Sequence, residues 1–366
     1  MIVYYGESIL TYIASIRSYY GLSSSYPSNE KLDALLRQKA PEKIFLLLVD
    51  GMGSRLLEQK LEEDAFLRRH MTYKTVSVFP PTTTAATTSI LTGKSPNETN
   101  WLGWMQYVRE VDDIIVPFQG KSYYSHRQYD PSLMYQLYPV KPIAEELREK
   151  GVKAKEVYPA FREGGCTSFH EVCERLKELD KSDVSFVYAY YDEYDTIMHE
   201  YGPSGKQSDE YLLYVNGEIE ELSKALDEKT MLIVTADHGQ IDIEKVFNLK
   251  NGPLDKYLRR PPAIEQRALA FYVKEGCLED FERDFKELYE DEFILLSQKQ
   301  VLETKLFGEG ENHPRLNEMI GDYLAIAKGK AVFLYQDDPS TFTHKGQHAG
   351  CHIDELEIPV ITFMKG

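Results

Sequence analysis

Three apolar stretches of this chain run into a carboxylate. Leu46-Leu47-Leu48-Val49 stops at Asp50, the stretch around Val187–Tyr191 leads to Asp195 with His199 beyond it, and Leu232–Ala236 stops at Asp237-His238-Gly239. The segment 344–352 adds His344, His348 and His352, with glycines at 346 and 350 that favour a loop. Carboxylate oxygens and imidazole nitrogens at such spacings suit a divalent metal ion such as zinc. On a helical turn Asp195 and His199 share one face, and a tight glycine turn can aim Asp237 and His238 at one ion. Each motif also has a plainer explanation, a strand-end or turn aspartate or a surface histidine. Of the three late histidines, one suits a ligand and two suit solvent.

A threonine-rich run is the second chemical feature. Residues 79–93, from Phe79-Pro80-Pro81 through Thr82, Thr83 and Thr84 to Gly93, leave a strand and enter a helix. Threonine is a good N-cap, but the run holds more hydroxyls than one cap uses. A hydroxyl at a helix N-terminus sits in positive potential among unpaired backbone N–H groups, where an anion is stabilised. Two nucleotide-binding motifs fail here. Gly51 and Gly53 lack the third glycine of a dinucleotide fingerprint, because position 56 is Leu56, and Gly93-Lys94-Ser95 lacks the earlier glycine of a P-loop, because position 88 is Thr88.

These residues need a scaffold that brings them together. Short apolar runs predict strands over 43–49, 75–81, 152–158, 184–192 and 230–236, alternating with helices over 54–69, 87–92, 141–150, 171–179 and 209–226. That alternation implies an α/β fold with a doubly wound, mostly parallel sheet. In such sheets ligands bind beyond the carboxyl ends of the strands, where Asp50, Asp195 and Asp237-His238 fall. The expected organisation is an N-terminal helical appendage over 1–42, a core over 43–250 and 340–366, and a small α+β insert over 251–339.

Composition narrows the partners. The chain has 366 residues with 42 Lys+Arg against 59 Asp+Glu, a formal charge of −17, which repels a phosphate backbone and argues against a nucleic-acid duplex. The longest apolar runs, such as Ile44–Val49, are far short of a membrane span. The opening residues lack a basic region and Glu7 interrupts their apolar stretch, so no signal peptide is expected. Cys166, Cys173, Cys277 and Cys351 are scattered with no CxxC spacing, so a reducing cytoplasm is the expected location.

In chain order, strand-end Asp50, a helix-start threonine followed by Ser89-Ile90-Leu91-Thr92-Gly93, Asp195-x3-His199-x2-Gly202-Pro203, Asp237-His238-Gly239 and Gly346-Gln347-His348 form a set. The set resembles the alkaline phosphatase superfamily and, within it, the type I phosphodiesterase/nucleotide pyrophosphatase family, over residues 43–250 and 340–365. The resemblance implies a hydrolase with two divalent metal ions, usually zinc, with manganese as the alternative. Carried over, Asp195, His199 and His348 match the ligands of one metal, and Asp50, Asp237 and His238 those of the other, joined by the nucleophile Thr83. Thr84 is the reserve nucleophile. The chain departs from the family pattern in having Thr84-Ala85-Ala86 after Thr83, and Trp104 where the family often has a phosphoryl-holding asparagine. Asn97 and Asn100 are the nearest amides.

The residues make this chemistry sensible in their own right. A threonine hydroxyl is a weak nucleophile unless a metal lowers its pKa, and a cation pair can hold both the attacking and leaving oxygens of an in-line displacement. The implied activity is hydrolysis of a small-molecule phosphodiester or nucleotide pyrophosphate through a phosphothreonine. Phosphomonoester or phosphonate hydrolysis is the alternative within the superfamily. An inactive metal- or phosphate-binding protein is the alternative from another class, against which every expected position holds a competent residue type. The sulfatase signature is missing at the nucleophile. Trp101 and Trp104, with Tyr107, Tyr123 and Tyr124, could stack on a substrate group or pack an irregular loop.

Overall fold

The computed structural model describes residues 5–365. Its centre is a six-stranded sheet in the order Met71–Val76, Glu357–Phe363, Thr230–Thr235, Lys43–Val49, Phe186–Tyr191, Ala154–Val157. Only Glu357–Phe363 runs against its neighbours; the other strands point one way. Every residue of Phe186–Tyr191 and Thr230–Thr235 is buried, as is all of Lys43–Val49 after its first residue. Burial without alternation means that both faces of the sheet are covered, the environment of a parallel α/β core. Lys43–Val49 lies between Thr230–Thr235 and Phe186–Tyr191, so the segments carrying Asp50, Asp195 and Asp237 leave adjacent strands at one rim.

Several elements differ from their sequence pattern. The helix expected over 54–69 is two helices, Ser54–Lys60 and Phe66–Arg69. The acidic run Glu62-Glu63-Asp64 between them opposes a helix C-terminus, where the macrodipole is already negative. The strand expected over 75–81 instead pairs over Met71–Val76, because Pro80 and Pro81 have no N–H to give a ladder. The expected N-terminal appendage, residues 1–42, is woven into the main core from Tyr5 onward. Helix Ile9–Tyr19, capped by Ser8, buries all of Ile9–Arg17. Arg17 donates to the Thr92 carbonyl at 3.3 Å and pairs with Glu146 at 2.8 Å, so it holds the last turn of helix Thr83–Thr92.

The insert is a four-stranded antiparallel sheet in the order Ala263–Ile264, Ala268–Phe271, Tyr323–Ala327, Phe293–Ser297. Helix Leu278–Tyr289 presents Phe281, Phe285 and Tyr289, four residues apart, to a separate apolar cluster. Arg267 stitches the insert to the loop that carries His348. Its guanidinium forms a two-pronged, wholly buried pair with Glu355 at 2.7 and 2.8 Å, and Glu355 accepts the Gly350 N–H at 2.8 Å.

Candidate active site

The chain turns that end the central strands set the site. Asp50 follows Lys43–Val49 directly, Asp195 lies in the first turn of helix Glu193–Tyr201, and Asp237-His238 follow Thr230–Thr235. Gly51, at φ 73°, lets the chain turn against Asp195, and its N–H donates to Asp237 Oδ1 at 3.2 Å. Across the rim, Thr83 begins helix Thr83–Thr92. Its hydroxyl lies 3.4 Å from Asp50 Oδ2 and 3.2 Å from His238 Nε2. The structure separates the two candidate nucleophiles, because Thr84 is wholly buried and its hydroxyl has no partner. Thr82, the N-cap, spends its hydroxyl on Glu265 at 2.6 Å rather than on the helix, so the first-turn N–H groups have no cap.

The donor set fits divalent cations. Asp195, His199 and His348 each offer a ligand atom within 4.8 Å of the others, and so do Asp50, Asp195 and His238. His238 Nε2 is also 3.3 Å from Asp50 Oδ1 and 3.6 Å from Asp237 Oδ2. All three histidines are oriented alike. Their Nδ1 atoms face the backbone carbonyls of Gly346 (His199, 3.0 Å), Gly239 (His238, 3.1 Å) and Pro81 (His348, 3.1 Å). A carbonyl only accepts, so Nδ1 must carry the proton and Nε2 keeps a lone pair for the site. Asp50 Oδ1 and Asp237 Oδ2 are buried with no hydrogen-bond donor, as expected of oxygens that await a cation.

The electrostatics agree. Burial, then the charges of Asp237 and Asp195, push the Asp50 carboxyl well above its ordinary range. Burial also raises Asp237 against the pull of His238. At Asp195 burial opposes ionisation, but the charge and hydrogen bond of His199, 3.1 Å away, outweigh it and hold the carboxyl far below its usual range. Burial and the neighbouring His238, stacked at 3.8 Å, keep His348 neutral. Without a cation, the cluster is frustrated.

The model of the type I phosphodiesterase / nucleotide pyrophosphatase family matches residues 121–351. This chain belongs to that family. The matched span takes in Asp195, His199, Asp237, His238 and His348, while Asp50 and Thr83 precede it. Family membership assigns phosphoester hydrolysis to the chain. Among solved structures, murine ectonucleotide pyrophosphatase / phosphodiesterase 5 is similar, with a TM-score of 0.67 and 16% identity over 87% of each chain. The human protein of the same name gives 0.67 and 16% over 88% of each. Phosphonoacetate hydrolase from Sinorhizobium meliloti, in complex with phosphonoformate, gives 0.64 and 15% over 88% of this chain and 90% of that one. At these identities the likeness is one of fold. No curated protein sequence matches.

In this phosphodiesterase-family chain the site opens into a cavity of about 460 Å3. Asp50, Thr83, Asp195, His199 and His348 line it, with Trp104 and Tyr123 on one side. Trp101 does not reach it. That ring is wholly buried and donates its indole N–H to the Tyr138 carbonyl at 3.0 Å, as an indole needs when it sits in a core. Asn97 instead bonds the Gly310 carbonyl and Asn312, and Asn100 is buried beside Gln106. No helix among the described residues is long and apolar enough to cross a membrane.

Three cavity residues, and Gln240 behind them, escape the sequence reading. His344, expected in solvent, lies 4.7 Å from the His199 ring, and burial followed by His199 lowers it to about 4. His352, by contrast, caps a short helix and accepts the Asp354 N–H. Tyr190, read as a core strand residue, lines the cavity and donates its hydroxyl to Asp50 Oδ2. Gln240 donates to Asp195. Glu265 is buried in the cavity wall, with Oε1 accepting from the Thr82 hydroxyl at 2.6 Å and the Trp104 N–H at 2.7 Å. Burial pushes its carboxyl up to about 7. The residue before it, Ile264, has φ 79°, a strained conformation for a β-branched side chain. The one sequence signal for Glu265 was a charge set among the apolar residues of 261–273.

Proposed function

We propose that this chain is a two-metal hydrolase of phosphodiester or nucleotide pyrophosphate bonds that works through a phosphothreonine on Thr83. Asp195, His199 and His348 would hold one divalent ion, and Asp50, Asp237 and His238 the other, with zinc or manganese as the cations. When bound, such ions supply charge neutralisation at the phosphoryl group and a lowered pKa for the attacking oxygen. The observation that carries the reading is the Thr83 hydroxyl, placed 3.4 Å from Asp50 and 3.2 Å from His238 at an uncapped helix N-terminus.

In the first step Thr83 Oγ1 gives up its proton and bonds to phosphorus, while the bond from phosphorus to one ester oxygen breaks and that oxygen leaves as an alcohol after taking a proton. In the second step water adds to phosphorus and the bond to Thr83 breaks, which regenerates the hydroxyl and releases a phosphomonoester. The free N–H groups after Thr83 face the developing negative charge. The carbonyls of Gly346, Gly239 and Pro81, by holding Nδ1–H, turn the three Nε2 lone pairs toward the site, where Asp50, Asp195 and Asp237 would offer carboxylate oxygens to the cations. Asp192 in the cavity wall, joined by Glu265 once it ionises above about pH 7, favours a diester. A diester phosphoryl carries one negative charge and a monoester two, so acidic neighbours penalise the monoester more.

The test is turnover of a nitrophenyl diester beside the matching monoester, in protein stripped and then reloaded with zinc or manganese. Thr83→Ala should abolish turnover while it keeps the bound metal, and mass spectrometry of quenched wild-type protein should find the phosphoryl adduct on the peptide containing Thr83. Normal turnover by the variant would remove Thr83 from the scheme.

A further inference from the structure

Beside the reactive cavity lies a second, larger one of about 610 Å3. The two share a wall, because Trp104 and Tyr123 line both. Tyr124 and Tyr335 extend the aromatic surface, with ring centroids 5.7 Å apart. Their hydroxyls are already committed, Tyr124 to the Pro262 carbonyl at 2.9 Å and Tyr335 to Asp255 at 2.8 Å. Such rings offer apolar faces to a visitor rather than new donors.

The charges in this cavity are mostly spoken for. Lys250 is held by Asp337 at 2.8 Å. Asp338 accepts the N–H and the hydroxyl of Ser340 at 3.0 and 2.6 Å. Lys121, on the edge strand Lys121–Ser122, is different: its ammonium has no ion pair and no hydrogen bond among the described residues. An uncommitted cation against aromatic walls stands out in a chain of net charge −17. A pocket of this size, with ring faces and an ammonium that has no hydrogen bond or ion pair among the described residues, has the makeup of a ligand site.

We propose that this cavity receives the second substituent of the diester and selects one with a planar apolar face and a further anionic group, which Lys121 binds. The inference rests on the phosphodiester reading. The phosphoryl group then sits at Thr83, the shared wall of Trp104 and Tyr123 lies alongside the ester linkage, and the distal anion meets the ammonium. A charge-assisted hydrogen bond in a partly enclosed site gives about a tenfold preference or more.

Two nitrophenyl phosphodiesters test this, one with a 4-carboxyphenyl second substituent and one with the uncharged 4-carbamoylphenyl group of the same shape. Wild-type protein should show kcat/KM about tenfold higher for the carboxylate, and in Lys121→Gln the ratio should fall to about one. Equal rates in wild type, or a preference that survives Lys121→Gln, would overturn the proposal. If wild type cleaves neither ester with zinc or manganese supplied, the phosphodiester reading is what has failed. Calorimetry with 4-carboxybenzylphosphonate and its carbamoyl analogue then decides the subsite. Tighter carboxylate binding that depends on Lys121 upholds it, and equal binding overturns it.

Discussion

Replacing Glu265 with glutamine should stabilise the metal-free protein near neutral pH, by an amount that grows with pH. Glutamine keeps an oxygen for the Thr82 hydroxyl and the Trp104 N–H, which lie 2.6 and 2.7 Å from Oε1 in the wild type. What it removes is a titration. Burial moves the Glu265 carboxyl from 4.5 to about 7 in the folded protein. Below the lower value both the folded and unfolded chains hold the proton, and the acid costs nothing. Between the two, the unfolded chain ionises while the folded one does not, so stability falls as pH rises. Each pH unit there costs up to ~1.4 kcal/mol, and above about pH 7 the loss levels off at roughly 3 kcal/mol. Urea unfolding of both proteins in chelator, from about pH 5 to about pH 8, reads this directly. The gap in unfolding free energy should widen toward neutrality in favour of Glu265→Gln. Parallel curves would refute the argument, and a variant less stable at every pH would show that the carboxylate makes contacts an amide cannot replace.

Other outcomes follow from the same geometry. Asp237→Asn removes a buried charge whose Oδ2 has no partner. In chelator it should raise stability by about 1–3 kcal/mol, while zinc or manganese should no longer raise Tm as it does in wild type. Arg267→Met leaves Glu355 buried and unpaired and should cost roughly 3–5 kcal/mol. The double variant Arg267→Met/Glu355→Leu should recover much of that in a chemical-denaturation cycle. Trp101→Phe should lose about 1–2 kcal/mol with the diester KM unmoved, because Trp101 lies outside both cavities, whereas Trp104→Ala should raise KM.

Much of the fold could be read from the sequence because its strands are buried on both faces. The run ending at Asp50 is apolar from Ile44 on and the one ending at Asp237 is interrupted only by Thr235 after Met231, and an acid at the end of such a run has only the rim to occupy. The helix break at 61–65 and the shifted Met71–Val76 strand were less legible, since they turn on local charge and on proline rather than on periodicity. Within the site, Asp50, Asp195 and Asp237 were accessible because each leaves a recognisable strand or helix start. Glu265, Gln240 and His344 were not, because their partners lie far along the chain and loop paths alone bring them close. The two tryptophans make the same point. Trp101 and Trp104 are three residues apart in an irregular segment, and nothing in their spacing tells which one faces the core and which the cavity.

The order of the central sheet also bears on how the chain is made. Glu357–Phe363 lies between Met71–Val76 and Thr230–Thr235, so until residues 357–363 have been made the early strand has no sheet neighbour and only the bridge from Ser8 to Val76. During synthesis the Thr82–Thr84 region would hang from an unpaired edge, exposed to aggregation for longer than the other strands. A folding helper that shields residues 71–92 would therefore act on this protein at its most vulnerable moment.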